Sequence, residues 1–295
     1  MGKDATAYLS TGKKIRFIGA TLLALTLALA FVAVAIPAPC LAAPKADLWP
    51  RWQANDPQSS QTIDHALWAA LLSKYLAADE ISGAAAVNLF DYAGVKGTDR
   101  ARLSQYVAAL ERTAVSTLNR DEQRAYWINL YNSLTVKVIL DNYPVDSINE
   151  IRSGWFTPGP WELKLVKVEA VALTLNDIEH RILRPIWKDM RVHFAVNCAS
   201  IGCPDLAARP YTAENTERLL DEGARAYVNH PRGVSLEKGK LKLSSIFDWF
   251  ASDFGKTERE VIQSLVPYAE PTLAKQLKGF NGKVVYDYDW SLNQK

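Results

Sequence analysis

The stretch VHFAVNCASIGCPDL, residues 192–206, places Cys198 and Cys203 five residues apart, with His193 five residues before the first. A second polar group precedes it in TLNDIEHRILRPIW, where Glu179 and His180 are adjacent and Arg184 follows His180 by four, on the same side of a helix. These residue types support three chemistries. In the first, Cys198 is a nucleophile. A thiolate then needs a base, here His180, and a group to orient that base, here Glu179 or Asn129. Backbone N–H groups in the loop after Cys198 would supply an oxyanion hole. In the second, His180, His193, Cys198 and Cys203 form a tetrahedral set for zinc, with Glu179 as a further ligand or base. The C-x4-C spacing is not a usual zinc-knuckle spacing. In the third, Cys198 and Cys203 close a small disulfide worth ~2 kcal/mol, and the protein is a non-catalytic module that binds a ligand or partner.

Local geometry constrains these choices. Adjacent helical residues point about 100° apart, so Glu179 and His180 should not pair directly. RVHFAVNC alternates like a strand, with Val192, Phe194, Val196 and Cys198 on one face and His193, Ala195 and Asn197 on the other. His193 would then face away from Cys198, leaving His180 as the better partner.

The compartment bears on the fate of the thiols. Lys13, Lys14 and Arg16 precede an unbroken apolar, small or Thr run from Phe17 to Ile36, followed by PAPCLAAP. This is the pattern of a signal peptide spanning residues 1–42, cleaved after Ala42, with an uncleaved membrane anchor as the alternative. Both export the remainder, to the periplasm or beyond, and the anchor is the only membrane contact expected. Residues 43–62 read as a polar leader and 63–295 as the domain. Cleavage leaves 253 of the 295 residues and removes four basic residues and one acid, taking the balance from 34 basic and 32 acidic to 30 and 31. The basic excess therefore belongs to the signal, which argues against a nucleic-acid surface. Two remaining cysteines do not make a disulfide scaffold, so 9 Trp, 12 Tyr and 9 Phe must build an apolar core.

The positioning elements follow from periodicity and caps. IDHALWAALLSKYLAAD and TDRARLSQYVAALER predict helices capped near Asp64 and Thr98, joined through the extended AAAVNLFDYAGV. NRDEQRAYWINLYNSLTVKVILDNYP predicts a helix opening at an Asn119 cap and apolar on more than one face. Asn129 and Asn132 sit three apart on it, and buried amides need partners: neighbouring loops, or a site to hold. WELKLVKVE with VALTL predicts a hairpin, and Thr174 with Asp177 a capping box. TAENTERLLDEGARAYVNHPRG is helical, VSLEKGKLKLS a hairpin around Lys238-Gly239, and GKVVYDYDWSLN a closing strand whose DYDW caps the sheet. SSIFDWFASDFG predicts an aromatic packing hub of Trp249, Phe250 and Phe254, with Asp248 and Asp253 beside it. His65 reads as a surface or capping residue and His230 as a turn residue. The fold expected is a single α+β domain, mostly helical with a small mixed or antiparallel sheet.

Five of these segments carry a family resemblance. AYWINLYNSLTVKVIL, LTLNDIEHRILR, RVHFAVNCASIGCPDL, SSIFDWFASDFG and YDYDWSLN occur in the order seen in the bacterial branch of the domain-of-unknown-function 547 family, which the chain resembles over residues 65–292. Members of that family often carry Leu at position 196 and Gly at position 199, where this chain has Val196 and Ala199. The resemblance implies a set of recurrent polar positions, Asn129, Asn132, Glu179, His180, Arg184, His193, Cys198 and Cys203, and no named activity, cofactor or partner. The combined expectation is a cleft lined by Asn129, Asn132, Glu179, His180, Arg184, His193 and Cys198. There Cys198 and His180 would perform thiol-dependent hydrolysis or acyl transfer, without a cofactor.

Overall fold

The computed structural model describes residues 44–80, 86–152, 154 and 157–295. The signal or anchor expected at residues 1–42 lies outside them. Among the described residues, no helix is long and apolar enough to cross a membrane.

The architecture is built around one helix. Asn119 caps it by accepting from the Glu122 N–H, and helix α3 (Arg120–Asn142) runs for 23 residues. Its side chains from Glu122 to Val136 are all buried, because other elements cover it on every side. Helix α1 (Ala66–Tyr75) packs on α2 (Gly97–Glu111), and α2 packs along α3. Strands β1 (Leu76–Glu80) and β2 (Ala86–Phe90) form an antiparallel pair. A short hairpin, β3 (Val166–Val168) with β4 (Val171–Leu173), leads into α4 (Leu175–Ile178), opened by the Thr174–Asp177 capping box. The helix does not stop at Pro185. It passes through a π-helical turn, Glu179–Leu183, and continues as α5 (Arg184–Trp187). Such turns insert an extra residue into the helical ladder and frequently occur at functional sites.

Helix α6 (Thr216–Val228) carries the chain to a mixed three-stranded sheet. Within it β5 (Val234–Glu237) pairs antiparallel with β6 (Lys240–Ser244), and β6 pairs parallel with β7 (Val284–Asp287). The β5–β6 turn holds Lys238 and Gly239 at φ 51° and 76°, the left-handed pair favoured by tight hairpins. Four short helices fill the β6–β7 connection: α7 (Ile246–Trp249), α8 (Ala251–Phe254), α9 (Glu258–Leu265) and α10 (Pro271–Gly279). The fold is α+β, helical in the main, with small sheets. Two apolar cores result, one around α1–α4 and one between α6, the mixed sheet and α7–α10. Phe194 belongs to the second and Ala195 to the first, so the segment entering Cys198 runs between them.

That segment departs from the sequence expectation. Residues 190–194 form a 3-10 helix, Met190–Phe194, instead of a strand. Asp189 caps it by accepting from the Arg191 N–H, and none of the described strands pairs with it. A network fixes its start: Arg124 of α3 binds Asp189 at 2.6 Å and Glu217 of α6 at 2.7 Å, and Arg191 binds Asp189, Glu217 and Asp221. The stretch expected as a leader packs on the domain where it is described: Trp52 is buried, and the Asp47 and Trp49 N–H groups donate to the His180 and Arg181 carbonyls.

His65 takes the N-cap position of α1, one of its two expected readings, but its ring is buried and not at the surface. Its Nδ1 lies 2.7 Å from the Tyr106 hydroxyl and its Nε2 3.3 Å from Asn129 Nδ2. Burial lowers its pKa from 6.5 to about 4, against the opposing pull of Asp64. The folded value lies below the unfolded one, so the neutral ring stabilises fully above pH 6.5 and that stabilisation is lost as pH falls through 4, about 3 kcal/mol in all. Between pH 7.5 and 4, wild type should therefore lose about 3 kcal/mol more than His65→Gln in denaturant titrations. Equal losses would show that the folded ring takes up its proton freely.

Candidate functional site

Two asparagines on α3 determine where the site's backbone lies. Asn132 donates to the Ala195 carbonyl at 2.9 Å and accepts from the Asn197 N–H at 2.8 Å. Asn129 does the same for a different loop, donating to the Tyr211 carbonyl at 2.7 Å and accepting from the Tyr211 N–H at 3.0 Å. Each carboxamide thus satisfies itself and a buried peptide, which resolves their presence on an apolar helix. Asn132 pins the residues just before the first thiol.

Asn197 then closes the thiol loop on itself. Its Nδ2 donates to the Pro204 carbonyl at 2.7 Å and its Oδ1 accepts from the Ala199 N–H at 2.8 Å. Within the loop, Cys198 and Cys203 are free thiols with their Sγ atoms 3.0 Å apart. Cys198 Sγ also lies 3.1 Å from Ser200 Oγ and 3.0 Å from the Tyr288 hydroxyl. These contacts draw the Cys198 pKa down from 9.0 to about 7: the Cys203 bond contributes most, burial opposes, and the Ser200 and Tyr288 hydroxyls and the Ser200 N–H add to it. Burial pushes Cys203 the other way, well above its ordinary value. Cys198 is partly exposed and Cys203 buried.

Every N–H from Cys198 to Cys203 is committed. Those of Cys198 and Ala199 bond to Cys203 Sγ and Asn197 Oδ1, and that of Ser200 to Cys198. Those of Ile201, Gly202 and Cys203 bond to the carbonyls of Ser291, Asp289 and Ser200. The segment 288–293 therefore braces the loop from outside. At Gly202 a Cβ would come within 2.8 Å of the Asp289 backbone, so only glycine fits there. Ala199 is held at φ 57°, a left-handed conformation that a Cβ disfavours.

The other polar residues form a second cluster. Asp253 Oδ2 accepts from Arg184 Nε at 2.6 Å and lies 2.8 Å from His193 Nε2. Burial of Asp253 opposes ionisation, but His193 and Arg184 hold its carboxyl well below the usual range. Facing a carboxylate, His193 Nε2 carries the proton. Its Nδ1 is then a buried acceptor with no hydrogen-bond partner, 3.7 Å from Glu179 Oε1. His180 Nδ1 receives Arg184 Nη1 at 3.0 Å and lies 3.8 Å from Glu179 Oε1. Burial lowers both histidines' pKa values, and at His180 the Arg184 charge adds to it. Both rings are neutral at pH 7. Phe250 stacks on His193 at 4.4 Å and lies under Arg184. Burial raises Glu179 to about 7 against the Arg184 charge and a Tyr131 hydrogen bond, and the charge of Cys198 raises it further. Glu179 thus links the cluster electrostatically to the thiol.

The expected residues fall into separate groups. Glu179, His180, Arg184 and His193 meet, Cys198 and Cys203 meet, Asn132 supports the thiol loop, and Asn129 serves the Tyr211 loop. The hydrogen-bond partners described for Cys198 do not include His180. All but Cys198 are buried. A cleft of about 250 Å³ beside the loop is lined instead by residues such as Ile201, Gly202, Arg232, Tyr288 and Asp289. Among the described residues, no group of three or more His, Cys, Asp or Glu is placed to hold a metal ion. Sequence reasoning missed the contributions of Ser200 and Tyr288 to the thiol and of Asp253 to the histidines. The signals were present: Ser200 lies between the cysteines, Asp253 in the aromatic motif, and Tyr288 in the closing DYDW.

Residues 115–228 match the family model described as "Protein of unknown function, DUF547". The match supports membership of the DUF547 family. No curated protein and no solved structure matches the chain. The DUF547 segment contains the asparagine clamps, the π-helical turn and both thiols, whereas Asp253 and Tyr288 lie beyond it.

The clamps generate a contrast. Asn132→Ala and Asn129→Ala each leave two buried backbone groups unpaired and should cost about 3 kcal/mol. Only Asn132→Ala should also change the pH profile of Cys198 alkylation. Identical profiles in the two variants would show that Asn132 does not position the thiol. Ala199→Gly relieves a left-handed alanine, and denaturant unfolding should show a gain of up to about 1 kcal/mol.

Proposed function

We propose that this DUF547 protein is exported and acts through Cys198 as the nucleophile of a thiol-dependent hydrolase or acyl transferase. The N-terminal sequence supports export: a basic start, an apolar run and small residues around Ala42. The observation that carries the chemistry is a partly exposed thiol whose Sγ lies 3.0 Å from Cys203 Sγ, 3.1 Å from Ser200 Oγ and 3.0 Å from the Tyr288 hydroxyl, contacts that lower its pKa. A thiol poised at ambient pH combines thiolate population with nucleophilicity.

The remaining roles follow from which groups stand around Cys198 and Glu179. His180 and Glu179 are the candidates for the proton-transfer role: His180 Nδ1 is bound by Arg184, and burial raises the Glu179 pKa to about 7. Since the loop's N–H groups are committed, the Tyr288 and Ser200 hydroxyls are the donors for an oxyanion formed at Cys198. His193 and Asp253 set the charge around Glu179. The substrate class is an acyl group open to attack by the Cys198 thiolate. The 3.0 Å approach of the sulfurs favours a second reading, a binding module in which Cys198 and Cys203 close a structural disulfide.

Alkylation by iodoacetamide tests the assignment. The wild-type Cys198 rate should rise through a midpoint near pH 7. Tyr288→Phe should raise that midpoint by about one unit and slow alkylation at pH 7 about fivefold. An activated ester should leave an acyl group on the Cys198 peptide, detected by mass. A wild-type midpoint near 8.5, or a quantitative Cys198–Cys203 bond in native protein that resists reduction, would sink the nucleophile.

A further inference from the structure

The thiol loop holds a second sulfur that acyl transfer does not use. Cys203 Sγ lies 3.0 Å from Cys198 Sγ, and the Cys198 N–H donates to it, also at 3.0 Å. The two cysteines are unequal: Cys198 is partly exposed beside Tyr288, and Cys203 is buried behind it. The loop ends are tied by Asn197 to Pro204, so the sulfurs are held within about 1 Å of the 2.0 Å bonding distance. A reaction at Cys198 that places charge on sulfur also needs no oxyanion hole, which suits a loop whose N–H groups are spent.

We propose that Cys198 and Cys203 form a reversible dithiol–disulfide pair that exchanges with substrate disulfides, Cys198 attacking and Cys203 resolving. In the first step the Cys198 thiolate attacks one sulfur of R–S–S–R′. The Cys198–S–R bond forms, the S–S bond breaks, and R′S⁻ leaves and takes up a proton. In the second step Cys203 loses its proton and attacks Cys198 Sγ. The Cys198–Cys203 bond forms, the Cys198–S–R bond breaks, and RS⁻ leaves and is protonated. Two electrons pass from the pair to the substrate, and a dithiol donor returns them before another turnover. The Cys198 N–H stabilises the charge that develops on Cys203 as it becomes the attacking sulfur. Attack on the exposed sulfur and resolution by the buried one follow from their accessibility.

The inference rests on Cys198 being the nucleophile, and one experiment separates the two claims. The full chain carrying Cys40→Ser is reduced, freed of reductant and mixed at pH 7 with 5,5′-dithiobis(2-nitrobenzoate), an aromatic disulfide. The expected result is two equivalents of released thiolate per chain, no retained adduct, and a mass two hydrogens below the reduced chain. With Cys203→Ser or Cys203→Ala, one equivalent is released and one adduct stays on the Cys198 peptide. If Cys198 keeps its adduct when Cys203 is present, the resolving role is overturned and the nucleophile stands. If neither chain reacts until it is unfolded, the nucleophile reading fails and this inference with it. If the closed pair is not reopened by excess dithiothreitol, reversibility is overturned.

Discussion

A buried carboxamide that must find partners for both its donor and its acceptor is the constraint around which this site is organised. Asn132 lies on a helix whose surroundings are apolar, and an unpaired amide there would cost several kcal/mol. It is satisfied by the Ala195 carbonyl and the Asn197 N–H. Those backbone groups are thereby withdrawn from any strand, and the chain turns into the loop that carries both thiols. The ion pairs of Arg124 and Arg191 hold the entry to this segment, and Asn197 holds its exit. A polar group placed in the core has fixed a conformation that apolar packing alone would leave free.

The charges nearby are arranged by the same logic of exclusion from water. Burial and the Arg184 guanidinium favour neutral His180 and His193, while His193 and Arg184 keep Asp253 ionised against its own burial. Glu179, more deeply buried than Asp253, has its pKa raised to about 7 by that burial. Cys198 arrives at a similar value from the opposite direction, through hydrogen bonds that outweigh its burial.

Much of the architecture was legible in the sequence because it rests on local signals. The Asn119 cap, the Thr174–Asp177 capping box, the Lys238-Gly239 turn and the helical periodicities are each complete within a few residues. Residues 191–198 were misread as a strand for the converse reason. Their alternation is strand-like, but their backbone partners come from Asn132, more than 60 residues earlier. The continuation of a helix past Pro185 was equally hidden, since a π-helical turn leaves no compositional mark. The polar residues of the site could be named in advance; which of them meet could not. His180 pairs with Arg184 rather than approaching Cys198 through a hydrogen bond, and Tyr288 reaches the thiol from a segment whose sequence reads as ordinary sheet edge.

That last contact spans 90 residues of chain. Gly202 must lie against the Asp289 backbone, and Tyr288 and Ser200 must meet, before Cys198 acquires its full set of hydrogen bonds. In a chain lacking those contacts the same sulfur is an ordinary cysteine, mostly protonated at neutral pH. The depressed pKa of Cys198 is therefore a property of the folded chain, built by contacts that no local segment supplies by itself.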